Sequence, residues 1–366
     1  MKFKYVVSML AVAGTLAAGA AHAAVPVADP LTRPATMVRQ PGRVFLAGLA
    51  HAGKRLVAVG EHGVVALSDD GGKSWRQARV PTSVTLTAVQ FPTPRQGWAT
   101  GHYGVVLHSA DGGETWSRQL DGVQAAQLAL RDAQAETGAP RAARDLADAQ
   151  RLVRDGPDKP FLALHFGDAL NGIVVGAYNL AFRTRDGGKT WTSLMGRLDN
   201  PKGNHLYAVR STGDVVYIAG EQGLLLRATD GGLHFERLDT GYKGSFFALC
   251  LPGADEVVVG GLRGNAYRSR DRGASWNKLE SPTPAAITAI GVRGADGIVA
   301  VNQAGQVLAA GPGATALVPL NVPALPPLND LLVDADGSII AASVFGVLRL
   351  PAVAPSAAPT VSMAAK

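Results

Sequence analysis

One unit is repeated seven times along the chain, and this repetition limits the possible folds more than any other feature. Aligned on a Gly-x-x-Gly step, five copies are strong, from GEHGVVALSDDGGKSW to GLRGNAYRSRDRGASW, and two are weak, NQAGQVLAAGPGATAL and SVFGVLRLP. The copies begin at residues 60, 101, 176, 220, 261, 302 and 343. A period near 41 residues is the length of one four-stranded propeller blade, and the single long step of 75 is one period with an insertion.

Alternating apolar and polar residues within each unit predict four short β-strands. A single sheet of this size cannot cover both of its apolar faces, so seven such sheets are expected to pack around a common axis. The sequence therefore predicts an all-β fold, a seven-bladed β-propeller over residues 43–351. The last unit lacks a fourth strand, and we expect the N-terminal segment 24–42, through its stretch ATMVRQ at 35–40, to supply that outer strand and close the ring.

The insertion at residues 121–156 has a helical pattern. VQAAQLALRDAQAE and RAARDLADAQRLVRD are separated by TGAP, and each carries apolar residues three and four positions apart. These segments predict a helical hairpin that leaves the propeller after an outer strand. Two roles stay open, because its Ala/Leu stripes can pack on the propeller as a lid or can serve as a docking site for a partner.

Each strong copy contains a Ser/Thr/Ala-x-Asp-Gly-Gly-x-Thr/Ser-Trp box at the turn between its third and fourth strands. The pattern resembles the Asp-box, also called the bacterial neuraminidase repeat. A catalytic group is needed once, whereas this box recurs in successive blades, so we interpret it as a structural clip in which Asp binds turn N–H groups and Trp fills the space between blades. The residues concerned are Asp70, Asp111, Asp186, Asp230 and Asp271, with Trp75, Trp116, Trp191 and Trp276.

Both ends of the chain carry recognisable patterns. Residues 1–23 have two lysines, an Ala-rich apolar run and an Ala-His-Ala cleavage pattern, which predict a secretory signal peptide and hence a periplasmic or secreted protein. The Ala/Pro-rich tail 352–366 is predicted to be disordered. Without the signal the chain has 33 basic and 29 acidic residues, a balance too weak to indicate nucleic acid, and no other apolar run is long enough for membrane insertion.

Candidate binding residues fall into two groups. The Gly-x-x-Gly turns are expected at the face of the propeller opposite the Asp-boxes, where Tyr103, Tyr178 and Glu221 form part of a mixed aromatic and polar rim suited to protein recognition. Arg183, Arg227 and Arg268 occupy equivalent positions on the third strand of three consecutive units. We expect their guanidinium groups to form one basic patch suited to carboxylates.

Catalysis is not indicated by the sequence. The arginine motif Arg-Ile-Pro of sialidases is absent, there is no Gly-x-Ser-x-Gly elbow, and the histidines and the single cysteine do not have metal-ligand spacing. We therefore expect no catalytic residue, no metal and no cofactor. A glycan-binding or sialidase-like glycoside hydrolase propeller is the alternative function, and a purely structural envelope protein is a second one.

The chain resembles the photosystem II stability/assembly factor family of seven-bladed Asp-box propellers. The segment GGLRGNAYRS is similar to that family's Ser-Arg-Gly-Asn-Phe-Tyr motif and places Arg263, Gly264 and Asn265 on it. The resemblance implies a non-catalytic exported protein whose arginine-rich patch holds a membrane-protein subunit during complex assembly. The family's following paired arginines fall at PTPAAITAIG in this chain. Similar proteins of non-photosynthetic bacteria accompany RND-type envelope exporters, so the implied partner class includes a subunit of such a system.

Overall fold

The computed structural model describes residues 28–136, 138, 141–295 and 297–352, and within them the strands form seven antiparallel sheets. The predicted signal peptide and the tail after Ala352 lie outside the described residues. The first four sheets are β1–β4 (Leu46–Ala52, Arg55–Gly60, Val65–Ser68, Arg76–Gln77), β5–β8 (Leu86–Gln90, Gly97–Gly101, Val106–Ser109, Ser117–Leu120), β9–β12 (Phe161–Phe166, Gly172–Gly176, Ala181–Thr184, Thr192–Ser193) and β13–β16 (Leu206–Thr212, Val215–Gly220, Leu225–Ala228, Glu236–Arg237). The remaining three are β17–β20 (Phe246–Gly253, Glu256–Gly261, Ala266–Ser269, Asn277–Leu279), β21–β24 (Ile287–Arg293, Gly297–Asn302, Val307–Ala310, Val318–Pro319) and β25–β27 (Leu328–Val333, Ile339–Ser343, Gly346–Leu350).

The sheets close into a ring. The first strand of each sheet contacts the first strand of the next, and β25 of the last sheet contacts β1 of the first. These seven innermost strands line a central channel, while clusters of buried aliphatic and aromatic side chains fill the space between neighbouring sheets. The seven-bladed propeller predicted from the repeat is confirmed, because the seven sheets can cover their apolar faces only by packing on each other.

The prediction that segment 35–40 adds a fourth strand to the last sheet is wrong. The last sheet has three strands, β25, β26 and β27. The segment instead lies along the first blade, where the Gln77 amide accepts from the Val38 N–H at 2.9 Å and donates to the Thr36 carbonyl at 2.8 Å. The Ala35 N–H also donates to the Val80 carbonyl at 3.0 Å. These bonds use the backbone groups that a strand pairing with β27 would need.

Side chains close the ring between the last and first blades. Leu46 and Leu49 of β1 pack in one buried cluster with Ile340 of β26. Two polar groups of β25 add hydrogen bonds across this junction: the Asn329 amide donates to the Leu46 carbonyl at 2.8 Å, and the Asp330 carboxylate accepts from the Leu49 N–H at 2.8 Å. Closure therefore depends on packing and side-chain capping and needs no shared sheet.

The first glycine of the Gly-x-x-Gly step is required by a close approach of the backbone. A Cβ at Gly261 would lie 2.0 Å from the Ser245 carbonyl oxygen, and equivalent first glycines face the same obstruction. The second glycine, Gly264, has φ +72°, and its Cβ would lie 2.2 Å from the Thr283 carbonyl oxygen. The step thus marks a turn between the second and third strands that two other connections contact closely. We call this a rim turn. The five regular rim turns are Glu61–Gly63, His102–Gly104, Ala177–Asn179, Glu221–Gly223 and Leu262–Gly264.

Replacing Gly261 with alanine is expected to lower the free energy of unfolding by about 2 kcal/mol, because the added methyl group overlaps a backbone oxygen that cannot rotate away. Gly313 is the matched control, since no atom lies within 4 Å of the position of its Cβ and its φ is not positive. Gly313→Ala is expected to change stability by less than about 0.5 kcal/mol. Urea unfolding measures both, and equal effects of the two changes would contradict the assigned role.

The predicted helical hairpin is present as α1 (Gly122–Ala135) and α2 (Ala142–Asp155). Asp121 caps α1 by accepting from the Gln124 N–H at 3.0 Å, and the Gln124 side chain accepts from the Asp121 N–H in return. The hairpin packs on the propeller through Ala126, Ala129 and Leu152, which are buried in one cluster with side chains of the second and third blades. Within that cluster Trp98 stacks on Phe166 at a ring-centroid distance of 3.9 Å.

Candidate functional site

The two faces of the ring differ in what they carry. Because the strands of a blade are antiparallel, the rim turns between second and third strands lie at the end opposite the Asp-box turns between third and fourth strands. The hairpin follows the fourth strand β8, and α1 contacts the rim turn His102–Gly104. We name the end with the rim turns and the hairpin the hairpin face, and the opposite end the Asp-box face.

The Asp-box carboxylates close the turns on the Asp-box face. Asp271 accepts hydrogen bonds from the Ser275 N–H at 2.8 Å, the Ser275 hydroxyl at 2.5 Å and the Ser269 hydroxyl at 2.7 Å. Asp70, Asp111, Asp186 and Asp230 bind their own turns in the same manner. Each carboxylate is fully engaged within its own turn, which agrees with the structural role predicted for the box.

The box tryptophans lie where the blades meet. Trp116 is buried between the first two blades and meets Phe91 edge to face at 5.8 Å, and Trp191 is buried against the third blade and the hairpin cluster. The indole N–H groups of Trp75, Trp116 and Trp276 each donate to the carbonyl of the box's second glycine or its equivalent. The Trp191 N–H has no hydrogen-bond partner among the described residues.

Acid is expected to weaken the propeller through these turns. Hydrogen bonds from Thr190 and from Ser275 lower the pKa values of Asp186 and Asp271 to about 2, and the His234 side chain and N–H have the same effect on Asp230. A carboxylate with a depressed pKa stabilises the fold above its unfolded pKa and loses that contribution as pH falls through the folded value. Stability should therefore fall between about pH 4 and pH 2, and in Asp271→Asn this fall should be smaller. Thermal unfolding across this range measures it, and an identical acid profile in the variant would contradict the assignment.

Arg183, Arg227 and Arg268, which we call the arginine stripe, do not form one exposed patch. The Arg183 guanidinium donates to the Gly231 carbonyl at 2.6 Å, that of Arg227 to the Arg272 carbonyl at 2.6 Å, and that of Arg268 to the Gly311 carbonyl at 2.9 Å. Each acceptor lies on the third-to-fourth-strand turn of the next blade. Arg349, Arg55 and Gln119 make the corresponding bonds at three other junctions, to the carbonyls of Gly71, Gly112 and Gly187. The stripe is thus part of a belt that joins the blades.

Arg268 in particular is not available to a partner. Its side chain is 3% exposed, and its Nε lies 2.9 Å from a carboxylate oxygen of Glu256, which is 13% exposed. The N–H does not point at that oxygen, so the contact is an ion pair without a well-formed hydrogen bond. The prediction that Arg268 forms one basic patch with Arg183 and Arg227 is therefore wrong, and Arg263 of the separate motif lies in a rim turn at the opposite end of the blade.

The rim turns hold side chains in a strained backbone conformation. In each of the five, the residue before the second glycine or its equivalent has φ between +53° and +57°, a region that glycine occupies without strain; these residues are His62, Tyr103, Tyr178, Gln222 and Arg263. A backbone hydrogen bond closes each turn, for example from the Leu224 N–H to the Glu221 carbonyl at 3.0 Å. Strain of this kind often accompanies function, and five of these side chains share the hairpin face, which is therefore the candidate site.

A row of aromatic rings crosses the hairpin face. Tyr178 is 60% exposed, and its ring centroid lies 4.7 Å from that of His205. His205 is followed at 6.2 Å by Tyr207, and Tyr207 at 5.1 Å by Phe247. The row begins beside a cleft of about 620 Å³ between the hairpin and the third blade and ends in the central channel, so it joins two concave surfaces.

The other predicted site residues surround this row at different distances. The Glu221 carboxylate accepts from the His205 N–H at 3.0 Å and so holds the row in place. Tyr103 is half-buried against the core of the first two blades. Arg263 is exposed, and Asn265 donates to the Leu262 carbonyl at 3.0 Å, on the rim of the fifth blade.

Sequence reasoning missed His205, Tyr207 and Phe247. Tyr207 and Phe247 follow the buried residues Leu206 and Phe246 on innermost strands, and the pleat turns them into the channel. The pairs Leu-Tyr and Phe-Phe at equivalent places in two units were a usable signal. Among the described residues, no group of three His, Cys, Asp or Glu side chains could hold a metal ion, and no helix is long and apolar enough to cross a membrane.

Fold and face together define the class: a seven-bladed Asp-box propeller with a helical overhang and a row of aromatic side chains at one end. A family model described as photosynthesis system II assembly factor YCF48 matches residues 49–136 and 150–322, which is most of the chain. The chain belongs to this family. The interval between the two matched segments falls in the hairpin, so the family model covers the propeller on both sides of the insertion.

Individual relatives agree with this membership. A stretch of 94 residues is 32% identical to the photosystem II assembly lipoprotein Ycf48 of Synechococcus sp. (strain CC9902); it covers 25% of this chain and 28% of that protein, so the chain matches only about a quarter of this relative's length. A solved YCF48 bound to a D1 peptide is 14% identical with a TM-score of 0.62, covering 87% of this chain and 99% of that one. YCF48 from Cyanidioschyzon merolae has a TM-score of 0.63 at 14% identity, covering 86% and 98%. At this identity the structural likeness concerns the fold.

Proposed function

We propose that the protein is exported, is not an enzyme and binds a segment of a membrane-protein subunit on its hairpin face, and that this binding supports assembly or stability of a membrane complex. The observation that carries the proposal is the aromatic row from Tyr178 to Phe247, which joins the hairpin cleft to the central channel. Family membership supports the assembly role, since a related YCF48 has been solved with a D1 peptide.

The row is suited to an extended chain segment. Aromatic side chains present large contact areas at low conformational cost and are enriched in protein interfaces. Tyr178 forms its exposed end, with the Lys159 ammonium 5.9 Å from the ring centroid. The row crosses from the third blade to the fifth, so a bound segment would contact the hairpin at one end and the channel mouth at the other.

The face also has the polar groups that an extended segment requires. Charged side chains of both signs line the hairpin cleft, among them Asp132, Arg197 and Lys202. Mixed charges of this kind form a polar rim around an aromatic centre, which is the usual arrangement in specific interfaces. The related YCF48 solved with a D1 peptide supports a membrane-complex subunit as the partner class, and we propose such a subunit without specifying the complex. The predicted signal peptide supports export.

Crosslinking capture from membranes of the source organism tests the function. We expect the purified protein to capture one membrane subunit reproducibly, and Tyr178→Ala to reduce that capture at least tenfold, because removal of an interface aromatic commonly costs about 2 kcal/mol or more. Leu170→Ala is the matched control, since Leu170 is 56% exposed, close to the 60% of Tyr178, and lies on the Asp-box face.

Thermal unfolding of the variants separates binding from folding, because both substitutions truncate an exposed side chain and should leave the fold intact. Equal capture by wild type and Tyr178→Ala would show that the aromatic row is not the binding surface. Loss of capture in Leu170→Ala would place the partner on the opposite face, and absence of any specific membrane subunit in the wild-type capture would refute the proposed function.

A further inference from the structure

The central channel contains a cation that its surroundings leave largely without partners. The channel encloses about 760 Å³ and is lined by the innermost strands of the blades. Its lining includes many aliphatic residues, among them Leu49, Ala163 and Ile290, together with polar ones such as His165, Gln303 and Asp330. Arg210 of β13 lies among them.

Several other polar side chains of the channel wall join neighbouring blades. The Thr87 hydroxyl donates to the Phe161 carbonyl at 2.7 Å, and the Thr288 hydroxyl donates to the Leu328 carbonyl at 2.7 Å. The Gln90 amide is bonded to both the N–H and the carbonyl of Phe166. These groups repeat one task around the ring, which is to satisfy backbone groups of the neighbouring blade.

Arg210, unlike these groups, does not bond to a neighbouring blade within the described part of the chain. Its guanidinium makes one hydrogen bond among the described residues, to the carbonyl of the adjacent Val209 at 2.8 Å, and it has no ion pair there. A guanidinium has five N–H donors, so most of its donors have no partner among the described residues. Burial lowers the pKa of Arg210 from its ordinary value, and an arginine remains charged even so.

The charge of Arg210 acts in several directions across the ring. It lowers the pKa values of His165 on the third blade, Cys250 on the fifth and Asp330 on the seventh. Burial, with Arg210 as the next cause, lowers the pKa of His165 to about 4, so this imidazole is neutral at ordinary pH. His165 and Cys250 lie on the blades to either side of Arg210, and Asp330 lies on the seventh blade.

Asp330 does not neutralise it. The Asp330 carboxylate accepts from the Leu49 N–H at 2.8 Å through one oxygen and from the Leu331 N–H at 2.8 Å through the other. Burial raises the pKa of Asp330 to about 6, and the opposing influence of Arg210 is the weakest one on this group. An arginine placed in an apolar channel with one backbone bond is suited to receive an anion from outside.

We propose that the channel is a binding site for an organic carboxylate, held by the Arg210 guanidinium. The planar fork of arginine matches two carboxylate oxygens, while the aliphatic walls favour an apolar remainder over a hydrated inorganic ion. A cavity of this size accommodates a small molecule or the end of a chain. The carboxylate can belong to a free organic acid or to the C-terminus of a peptide entering past Tyr207 and Phe247. Tyr207 and Phe247 belong both to this cavity and to the aromatic row, but carboxylate binding at Arg210 does not depend on the binding of a membrane subunit proposed above.

Benzoate is the probe for the free acid, and benzamide is its uncharged analogue. In protein labelled with ¹⁵N-arginine, we expect saturable benzoate binding that shifts one Nε–H resonance, with no shift on addition of benzamide. Arg210→Met should remove that resonance and weaken benzoate binding, followed by calorimetry, at least tenfold. Arg237→Met, at an exposed position on the outer strand β16, is the matched control and should bind benzoate as the wild type does.

Short peptides that differ only in a free or amidated C-terminus test the second source. Binding of the free-acid peptide alone identifies a chain terminus as the ligand, binding of benzoate alone identifies a free acid, and either result supports a carboxylate site. Arg210→Met is expected to fold, since it removes a buried charge that lacks a partner, and Arg210→Gln repeats the test with a polar side chain. Absence of saturable binding to wild type, or unchanged binding in either folded variant, would overturn the proposal.

Discussion

Replacing Arg268 with alanine is expected to lower the free energy of unfolding by about 3 kcal/mol. The substitution leaves the Glu256 carboxylate in a nearly dry site without its cation, and a buried charge that loses its partner is strongly destabilising. It also removes the bond from Arg268 to the Gly311 carbonyl of the next blade. Urea unfolding followed by tryptophan fluorescence measures the change, because the box tryptophans lie at the blade junctions.

Arg227 provides the matched control for Arg268. It occupies the equivalent position one blade earlier and reaches the next blade in the same way, but its partner Glu236 is 58% exposed. Arg227→Ala is expected to cost less than about 1 kcal/mol, since solvent screens an exposed ion pair. The double variant Arg268→Met with Glu256→Leu should recover most of the lost stability because neither charge remains buried. Equal losses in Arg268→Ala and Arg227→Ala would show that burial of the pair does not determine its importance.

Replacing Arg263 with glycine is expected to stabilise the fold by about 1 kcal/mol and to reduce partner capture at least tenfold. Arg263 has φ +57°, and glycine adopts this conformation without the steric cost of a Cβ. The exposed guanidinium on the hairpin face would be lost at the same time, and arginine is among the residues that contribute most to protein interfaces.

Arg272 makes this test specific. It lies in the Asp-box of the same blade with φ +58°, and its ion pair with Asp255 is exposed, 54% and 60%. Arg272→Gly therefore removes the same charge and relieves the same strain on the Asp-box face. We expect it to raise the melting temperature as Arg263→Gly does and to leave capture unchanged. If the two variants lose capture equally, general electrostatic attraction explains binding and the rim turns have no specific role.

The repeat made most of the fold predictable. A 41-residue period, four strand patterns per unit and the Asp-boxes are local features, and each blade uses them in the same way. The Gly-x-x-Gly step was usable for alignment, yet its physical reason needed coordinates: Gly261 and Gly264 are required by carbonyl oxygens of Ser245 and Thr283, which approach from connections outside the strand pair. The helices of the insertion were also predictable, from the spacing of their apolar residues.

The position of the N-terminal segment was not predictable from local pattern. A segment that precedes the first unit and belongs to none fits the outer strand that the last unit lacks, and residues 35–40 satisfy that description. The deciding contact is the Gln77 side chain, which binds the backbone of Thr36 and Val38 on the first blade. The Gln77 amide and the edge of the last sheet compete for the same backbone groups of segment 35–40. The outcome depends on distances in space, which spacing along the chain does not give.

The candidate site, like the fold, was predictable only where it depends on the repeat. Tyr178 and Arg263 could be placed on a rim because they fall inside the repeated turn. Equivalent positions in the repeat also led to the arginine patch, but equivalence places Arg183 and Arg227 at successive blade junctions, where each binds a carbonyl of its neighbour. The repeat predicts where a side chain lies in its blade, and the adjacent blade determines whether it is free to bind.

Photocrosslinking from the two faces tests the central claim most directly. A benzophenone amino acid placed at Gln222, exposed on a rim turn, and at Lys189, exposed in an Asp-box turn, samples opposite ends of the ring. The account predicts a crosslink to one membrane subunit from position 222 and none from position 189. A crosslink to that subunit from position 189, with none from position 222, would contradict the assignment of recognition to the hairpin face.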